Sequence, residues 1–340
     1  MLIYYIIIFS TVIIGYVYEH SDKNLQKIIN FLFIAIFTVV IGLRNEVGVD
    51  WFAYIDMYLR LTAEPFVYDT NELLYKFLNV VSYYTGIGFG LVVFMTTFIF
   101  ILCSIRGPKI INLNPYYFFA VVGSYYFVMA GLNFIRQGVA LAIMVVAFSH
   151  LINGSKIRFL VTTFLAGMFH TSALLLIVFI IADLNIIFVV ASVFFVLGLV
   201  IYFPIERYQL YLTSDMENAG LVLRVGYLIV PSIYIIFNFK SWLKKSLLIK
   251  RLYIISIFFA PTLATLSLVS STISDRVAYY FIIFITLLVM KLVAENKNNF
   301  NKVTLIVMFV ISMIALSVWS YNSKYIEYYR YNSYLIKWLS

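Results

Sequence analysis

Residues 159–183 read FLVTTFLAGMFHTSALLLIVFIIAD, with one histidine, His170, near the middle and one acid, Asp183, at the end. The length suits a membrane span, since about 20 apolar residues cross a bilayer's hydrocarbon core. Other apolar runs predict full spans at 2–18, 27–43, 88–105, 115–130, 134–152, 185–203, 221–239, 251–271, 276–293 and 303–320. If 159–183 were one more span, the lysine-rich connection 240–251 would face away from the other basic connections. If it is two half-length helices meeting near His170, Thr171 and Ser172, every basic connection falls on one side, as the positive-inside rule requires. The second reading predicts a broken helix. Inside a bundle such a break is tolerated only where protein or a wet cavity satisfies the freed backbone groups.

Composition agrees with a chain built of spans. Hydrophobic residues are 64% of the 340 and charged residues only 11%, against about 25% charged in soluble domains. One soluble core could not hide that much apolar surface, which excludes a globular enzyme, a disordered chain and a nucleic-acid-binding domain. A transmembrane β-barrel would show short alternating segments instead. The fold class expected is an all-α polytopic integral membrane protein of about ten full spans plus the broken pair at 159–183. Neither a repeat nor a composition shift divides the chain, so 1–340 reads as one transmembrane domain. The first run, followed by EHSDKNLQK, lacks a small-residue cleavage site and does not read as a cleaved signal peptide. The single cysteine, Cys103, sits in an apolar run and excludes an intramolecular disulfide framework.

The charges set the orientation. Lysine and arginine collect at Lys23/Lys27, Arg106/Lys109, Lys156/Arg158, Lys240–Arg251 and Lys291/Lys297/Lys302, which places those connections in the cytoplasm and both termini outside. The inner side then carries 14 Lys/Arg against 4 Asp/Glu, and the outer side 10 against 11. The formal charge of +9 is therefore a topology signal and says nothing of an anionic partner. The largest outer connection, 44–87, is expected to hold an amphipathic helix over 73–85 lying on the membrane surface, ended by Gly86, Gly88 and Gly90. The tail 321–340 is dense in tyrosine, as an interfacial aromatic belt or a sugar-stacking surface would be.

Four ionisable residues fall at the same outer level: Arg44, Arg136, His170 and Arg276. In GLNFIRQGVALAI, Asn133, Arg136, Gln137 and Ala140 share a helical face, and Asn133 reads as an N-cap. In SSTISDRVAYYF, Ser274 reads as the cap before Arg276, with Tyr279 and Tyr280 following. An arginine in a first helical turn opposes the macrodipole; two at one membrane face suggest a bound anion. Free N–H groups and a guanidinium fork suit a phosphate. The alternative is that the arginines snorkel to headgroups. His170 reads as a general base or as a satisfied core histidine. Glu46, Asp50 and Asp56 could act as bases or hold a metal. No His/Cys cluster supports a metal, so a metal-free site without cofactor is expected, with arginines as counter-charge.

These residues carry a family resemblance. LRNEVGVDWFAYIDMY (Arg44, Gly48, Asp50, Tyr54), NFIRQGVALAI (Arg136, Gln137), FHTSALL (His170, Ser172) and DRVAYYF (Arg276, Tyr280) resemble, in order and spacing, the EpsG/Wzy-type polymerases of bacterial exopolysaccharide and O-antigen synthesis. The family's Tyr-x-Pro-Tyr-like ending is here Tyr331-Asn332-Ser333-Tyr334, without the proline. The resemblance implies a GT-C-like glycosyltransferase in the inner membrane, working at its outer face. It would transfer a growing glycan from undecaprenyl pyrophosphate to another lipid-linked repeat unit, without metal or nucleotide sugar. Among partners it implies the lipid-linked donor and acceptor, and it leaves room for a chain-length regulator. On this reading His170 is the base, with Asp50 or Glu46 next in line. Arg136 and Arg276 bind pyrophosphate beside Gln137 and Tyr280, and Arg44 is a third cationic contact or orders the outer loop. A lipid-linked oligosaccharide flippase and an O-antigen ligase are the competing readings. An inverted repeat, expected of many transporters, is not found.

Overall fold

A computed structural model describes residues 1–63, 72–183, 221–296 and 299–334. Among the described residues there is no β-strand, only an isolated bridge between Arg44 and Ser333. The chain opens with α1 (Leu2–Glu19) and α2 (Lys23–Gly42), the second capped by the Asp22 carboxylate on the Leu25 amide. Two shorter helices, α3 (Trp51–Ala63) and α4 (Leu73–Tyr84), precede α5 (Phe89–Ile110). Next come α6 (Pro115–Gly123), a π-helix (Ser124–Gly131), α7 (Ile135–Ile152), α8 (Lys156–Gly167) and a 3-10 helix (Thr171–Asp183). Residues 221–334 add α9 (Leu221–Phe237), α10 (Leu247–Ile257), α11 (Phe259–Val269), α12 (Ser271–Glu295) and α13 (Asn299–Asn322).

Among the described residues, six helices are long and apolar enough to cross a membrane: α1, α2, α5, α7, Ile273–Glu295 of α12 and Val303–Asn322 of α13. Counting Leu247–Ile257 and Phe259–Leu268, bent by 45° at their junction, as one span makes seven. Of the ten or so full spans expected, the described residues show these six or seven. The run 115–130 is divided between α6 and a π-helix. Helix α9 has 17 residues and stops just short. The expected span 185–203 lies outside the described residues.

The expected break in 159–183 is present. Helix α8 ends at Gly167 after 12 residues and a 3-10 helix of 13 residues begins at Thr171. These lengths give about 18 Å and about 26 Å, short of a hydrocarbon core of about 30 Å. The two pieces pack against each other. A Cβ on Gly167 would run into the Leu174 side chain, which would have to move to admit it.

Helices α7 and α12 form the centre. Their apolar windows are 83% and 78% buried, against 33% for α1 and 28% for α2. Helix α7 packs on α5, α8 and α12. The outer helices expose the residues a lipid-facing surface needs: Ile6, Phe9 and Ile13 on α1, Phe31 and Ile36 on α2, Ile306 and Ile314 on α13. The first turns of α7 and α12 thus belong to the two most buried of the six helices.

Candidate functional site

The loop 43–50 is built into the fold rather than left on its surface. Its backbone pairs with the tail: the Asn45 amide donates to the Asn332 carbonyl at 3.0 Å, Tyr334 to Leu43 at 2.9 Å and Gly48 to Tyr328 at 2.8 Å. The Tyr331 hydroxyl donates to the Val40 carbonyl at 2.7 Å, and Tyr329 is buried. The tail's described part is thus partly a strap over loop 43–50; Tyr321 and Tyr325 are the exposed rings that an aromatic belt would use.

Beneath the strap, Arg44 is 1% exposed. Its guanidinium donates to the Ile41 carbonyl at 3.1 Å, Thr97 Oγ1 at 2.9 Å and the Leu132 carbonyl at 3.3 Å. Gly48 lies against the entry to α7. Its φ of +109° and the 3.0 Å from a would-be Cβ to the Leu132 carbonyl both require glycine. Asn133 Oδ1 accepts from the Asp50 amide at 3.1 Å. Asn133 is therefore not the cap of α7, as its sequence position suggests; Phe134 occupies that place and Asn133 clamps the loop.

The cluster stands on Glu72, immediately before α4. Its Oε1 is 2.7 Å from His170 Nδ1, and its Oε2 accepts from Arg136 Nη1. One carboxylate thus ties the first turn of α7 to the break between α8 and the 3-10 helix. The same corner is closed by the Leu74 amide, which donates to the Met168 carbonyl at 3.1 Å. The Arg136 guanidinium lies 5.7 Å from the ring centres of both Tyr54 and Tyr75, within cation–π range. Next to it, Gln137 Oε1 accepts from Arg276 at 3.0 Å, and Gln137 Nε2 donates to the Arg276 carbonyl at 3.2 Å. Phe134 lies 5.3 Å from the Arg276 guanidinium. Ser172 and Tyr280 share a hydrogen bond of 3.0 Å at the start of the 3-10 helix.

Arg136 and His170 keep 18% and 16% of their side chains accessible, so the cluster is sheltered yet reachable. Burial by itself would raise the pKa of Glu72. The hydrogen bond with His170 and the charge of Arg136 outweigh it, and the carboxyl titrates below its ordinary value. Asp50 behaves oppositely: burial raises its carboxyl, and the charges of Arg276 and Arg136 only partly offset this. Asp50 therefore lies in the field of both arginines.

The structure brings Arg136, Gln137, His170, Arg276, Ser172, Tyr280 and Asp50 to one end of the bundle. It does not bring Arg44 or Glu46 into the same hydrogen-bonded network. Arg44 is turned inward to carbonyls and Thr97, away from any place a phosphate could reach. Glu46 is exposed at a left-handed φ of 55°. Ser274 is not the cap of α12; the Ser270 hydroxyl accepts from the Ile273 amide, and Ser274 donates to the Leu263 carbonyl at 2.8 Å. Arg276 consequently sits in the second turn of α12.

Three charged residues escaped the sequence reading as members of this region. Glu72 was one of six acids in a long loop; the signal was its place directly before the amphipathic run LLYKFLNVV. Helix α4, which it opens, buries Tyr75, Asn79 and Ser82 on one face. The other two are Arg224 and Asp275, which form a buried ion pair on α9 and α12. Arg224 also donates to the Tyr279 hydroxyl at 3.3 Å and lies between the rings of Tyr125 and Tyr279, at 5.3 and 5.2 Å. Among the described residues no group of His, Cys, Asp and Glu has metal-binding geometry.

A family model described as the EpsG family matches residues 27–333. No curated protein and no solved structure matches the chain.

Proposed function

The chain belongs to the EpsG family, whose membership points to a polysaccharide-polymerase type of function, and from this premise and the cluster at Glu72 we propose a specific activity. The protein is a multi-pass, GT-C-like glycosyltransferase of the bacterial inner membrane with its site at the outer face. It moves a growing glycan from undecaprenyl pyrophosphate to a sugar hydroxyl of a second lipid-linked repeat unit. The observation that supports this best is the pairing of two sheltered arginines, Arg136 and Arg276, with a histidine held at hydrogen-bonding distance from a carboxylate.

The reaction forms a bond from the acceptor oxygen to the donor's anomeric carbon. The bond from that carbon to the pyrophosphate oxygen breaks, and its electron pair leaves with the pyrophosphate. Charge grows on that oxygen in the transition state, and Arg136 and Arg276 stabilise it in a site partly shielded from water. The acceptor hydroxyl's proton goes to His170, with Asp50 as the alternative acceptor. Gln137 holds Arg276, and Tyr280 with Ser172 borders the acceptor side. Arg44 serves by ordering the loop rather than by touching pyrophosphate, and Glu46 takes no part in the chemistry. A chain-length regulator would act from outside this site.

A deletion strain complemented with wild type, Arg136→Ala or His170→Gln tests the reading. Both variants should reach the membrane at normal level, yield no long-chain glycan and accumulate single lipid-linked units on the outer leaflet. Normal chain-length ladders from both would refute it. Accumulation on the inner leaflet would identify a flippase, and unpolymerised units still attached to their final carrier would separate a polymerase from a ligase.

A further inference from the structure

Glu72 is the centre of the cluster, yet the proposed chemistry gives it no step. It lies outside the helices, at the entry to α4, and its side chain is 6% accessible. Its two oxygens serve two different residues: Oε1 faces His170 Nδ1 at 2.7 Å and Oε2 holds Arg136. A carboxylate accepts and cannot donate, so the imidazole nitrogen facing it carries the proton. The other nitrogen, Nε2, then has its lone pair available for an acceptor hydroxyl. A carboxylate in this position fixes the tautomer and orientation of a histidine base and stabilises the imidazolium that forms.

The second oxygen adds a condition. While Arg136 is bonded to Glu72, the guanidinium neutralises much of the charge that would support the imidazolium. A diphosphate arriving at the first turn of α7 competes for the same guanidinium fork, and for two charges where Glu72 offers one. We propose that Glu72 is a positioning residue that couples donor binding to base strength: it orients His170 through Nδ1 and yields part of Arg136 to the diphosphate of a lipid-linked donor, whereupon its charge acts on the histidine. The inference rests on the reading of His170 as base and Arg136 as diphosphate contact. The charged groups facing the imidazole are Glu72, Arg136 from α7 and Arg276 from α12; the aromatic groups beside Arg136 are Tyr54 of α3 and Tyr75 of α4.

The test uses the purified full-length chain in detergent. The probe is the lipid-linked repeat unit extracted from a strain lacking this protein. Rates are followed against pH and donor concentration for wild type, Glu72→Gln and Glu72→Asp. Glutamine keeps the shape and an accepting oxygen but removes the charge. In Glu72→Gln, kcat should fall by about tenfold or more, within the range that acid–base catalysis supplies. The acidic limb of the kcat profile should move to lower pH by about one unit or more, as removal of an adjacent negative charge requires. The donor KM should fall several-fold, because a neutral amide oxygen competes with the diphosphate for Arg136 far more weakly than a carboxylate does. Glu72→Asp keeps the charge at a longer reach; its limb should stay in place while kcat drops. A merely structural role would lower the amount of folded protein and leave the limb and the KM where they are. Wild-type kcat, limb and KM in Glu72→Gln, with Arg136→Ala and His170→Gln inactive, would overturn the coupling and leave the functional reading intact. If glutamine prevents folding, wild-type kcat in Glu72→Asp overturns it equally. Activity in Arg136→Ala and His170→Gln would instead remove the reading on which it rests.

Discussion

Arg136→Lys separates the charge at this site from its geometry. Arg136 bonds Glu72 and lies 5.7 Å from the rings of Tyr54 and Tyr75. Lysine keeps one positive charge and can still meet Glu72, so the ion pair survives. What goes is the planar fork, which can hold a carboxylate on one edge and a phosphate on another, and the flat face between the tyrosines. Weakened aromatic contacts should cost about 0.5–1 kcal/mol of stability, a small shift of the thermal midpoint in detergent. The loss of one charge-assisted hydrogen bond to the leaving pyrophosphate is about 1.5–3 kcal/mol. If that bond strengthens as charge builds on the leaving oxygen, the loss falls on kcat, at about tenfold to 150-fold. The assay is turnover of extracted lipid-linked repeat units by the purified variant, with chain length read on gels and folding checked by thermal unfolding. A lysine variant that polymerises at the wild-type rate would show that the guanidinium fork contributes nothing in the transition state, and the assignment of Arg136 to pyrophosphate would fall.

Two further outcomes follow from buried charge. Arg224→Met strips the buried Asp275 of its cation and should destabilise the protein by about 3–5 kcal/mol, whereas Arg224→Met with Asp275→Leu should recover most of the loss; equal melting of single and double variants would contradict the pair. Glu72 titrates below its ordinary value when folded, so the stability it adds is complete above the unfolded carboxylate's pKa and is lost as pH falls through the folded one. Unfolding midpoints measured from neutral to acid pH should therefore drop more steeply in wild type than in Glu72→Gln, and parallel curves would refute this.

Much of the site was legible because charge is scarce in this chain. With 11% charged residues, an arginine or histidine inside an apolar run stands out, and Arg136, His170 and Arg276 were each visible that way. The break at His170 followed from charge sidedness, a whole-chain constraint that needs no side-chain detail. What stayed hidden was pairing. Glu72 and His170 are joined across 98 positions, and only its place before an amphipathic run sets Glu72 apart from the other acids of its loop. The caps misread at Asn133 and Ser274 fail for the same reason: a polar side chain before a helix satisfies whichever orphan group is nearest, and here those belong to Asp50 and Leu263.

The sequence by itself determined that the chain is built of apolar segments of membrane-spanning length and that 159–183 breaks, because hydrophobic length and the distribution of lysine and arginine are linear properties. It also carried the family motifs. Only the tertiary structure decided which charges meet. It turned Arg44 inward to backbone carbonyls, left Glu46 exposed, bound the tail across loop 43–50 and placed Glu72 between Arg136 and His170. The physical reason is that a sheltered charge must find a partner or lose its ionisation, and which partner it finds depends on how helices distant in the chain are packed together.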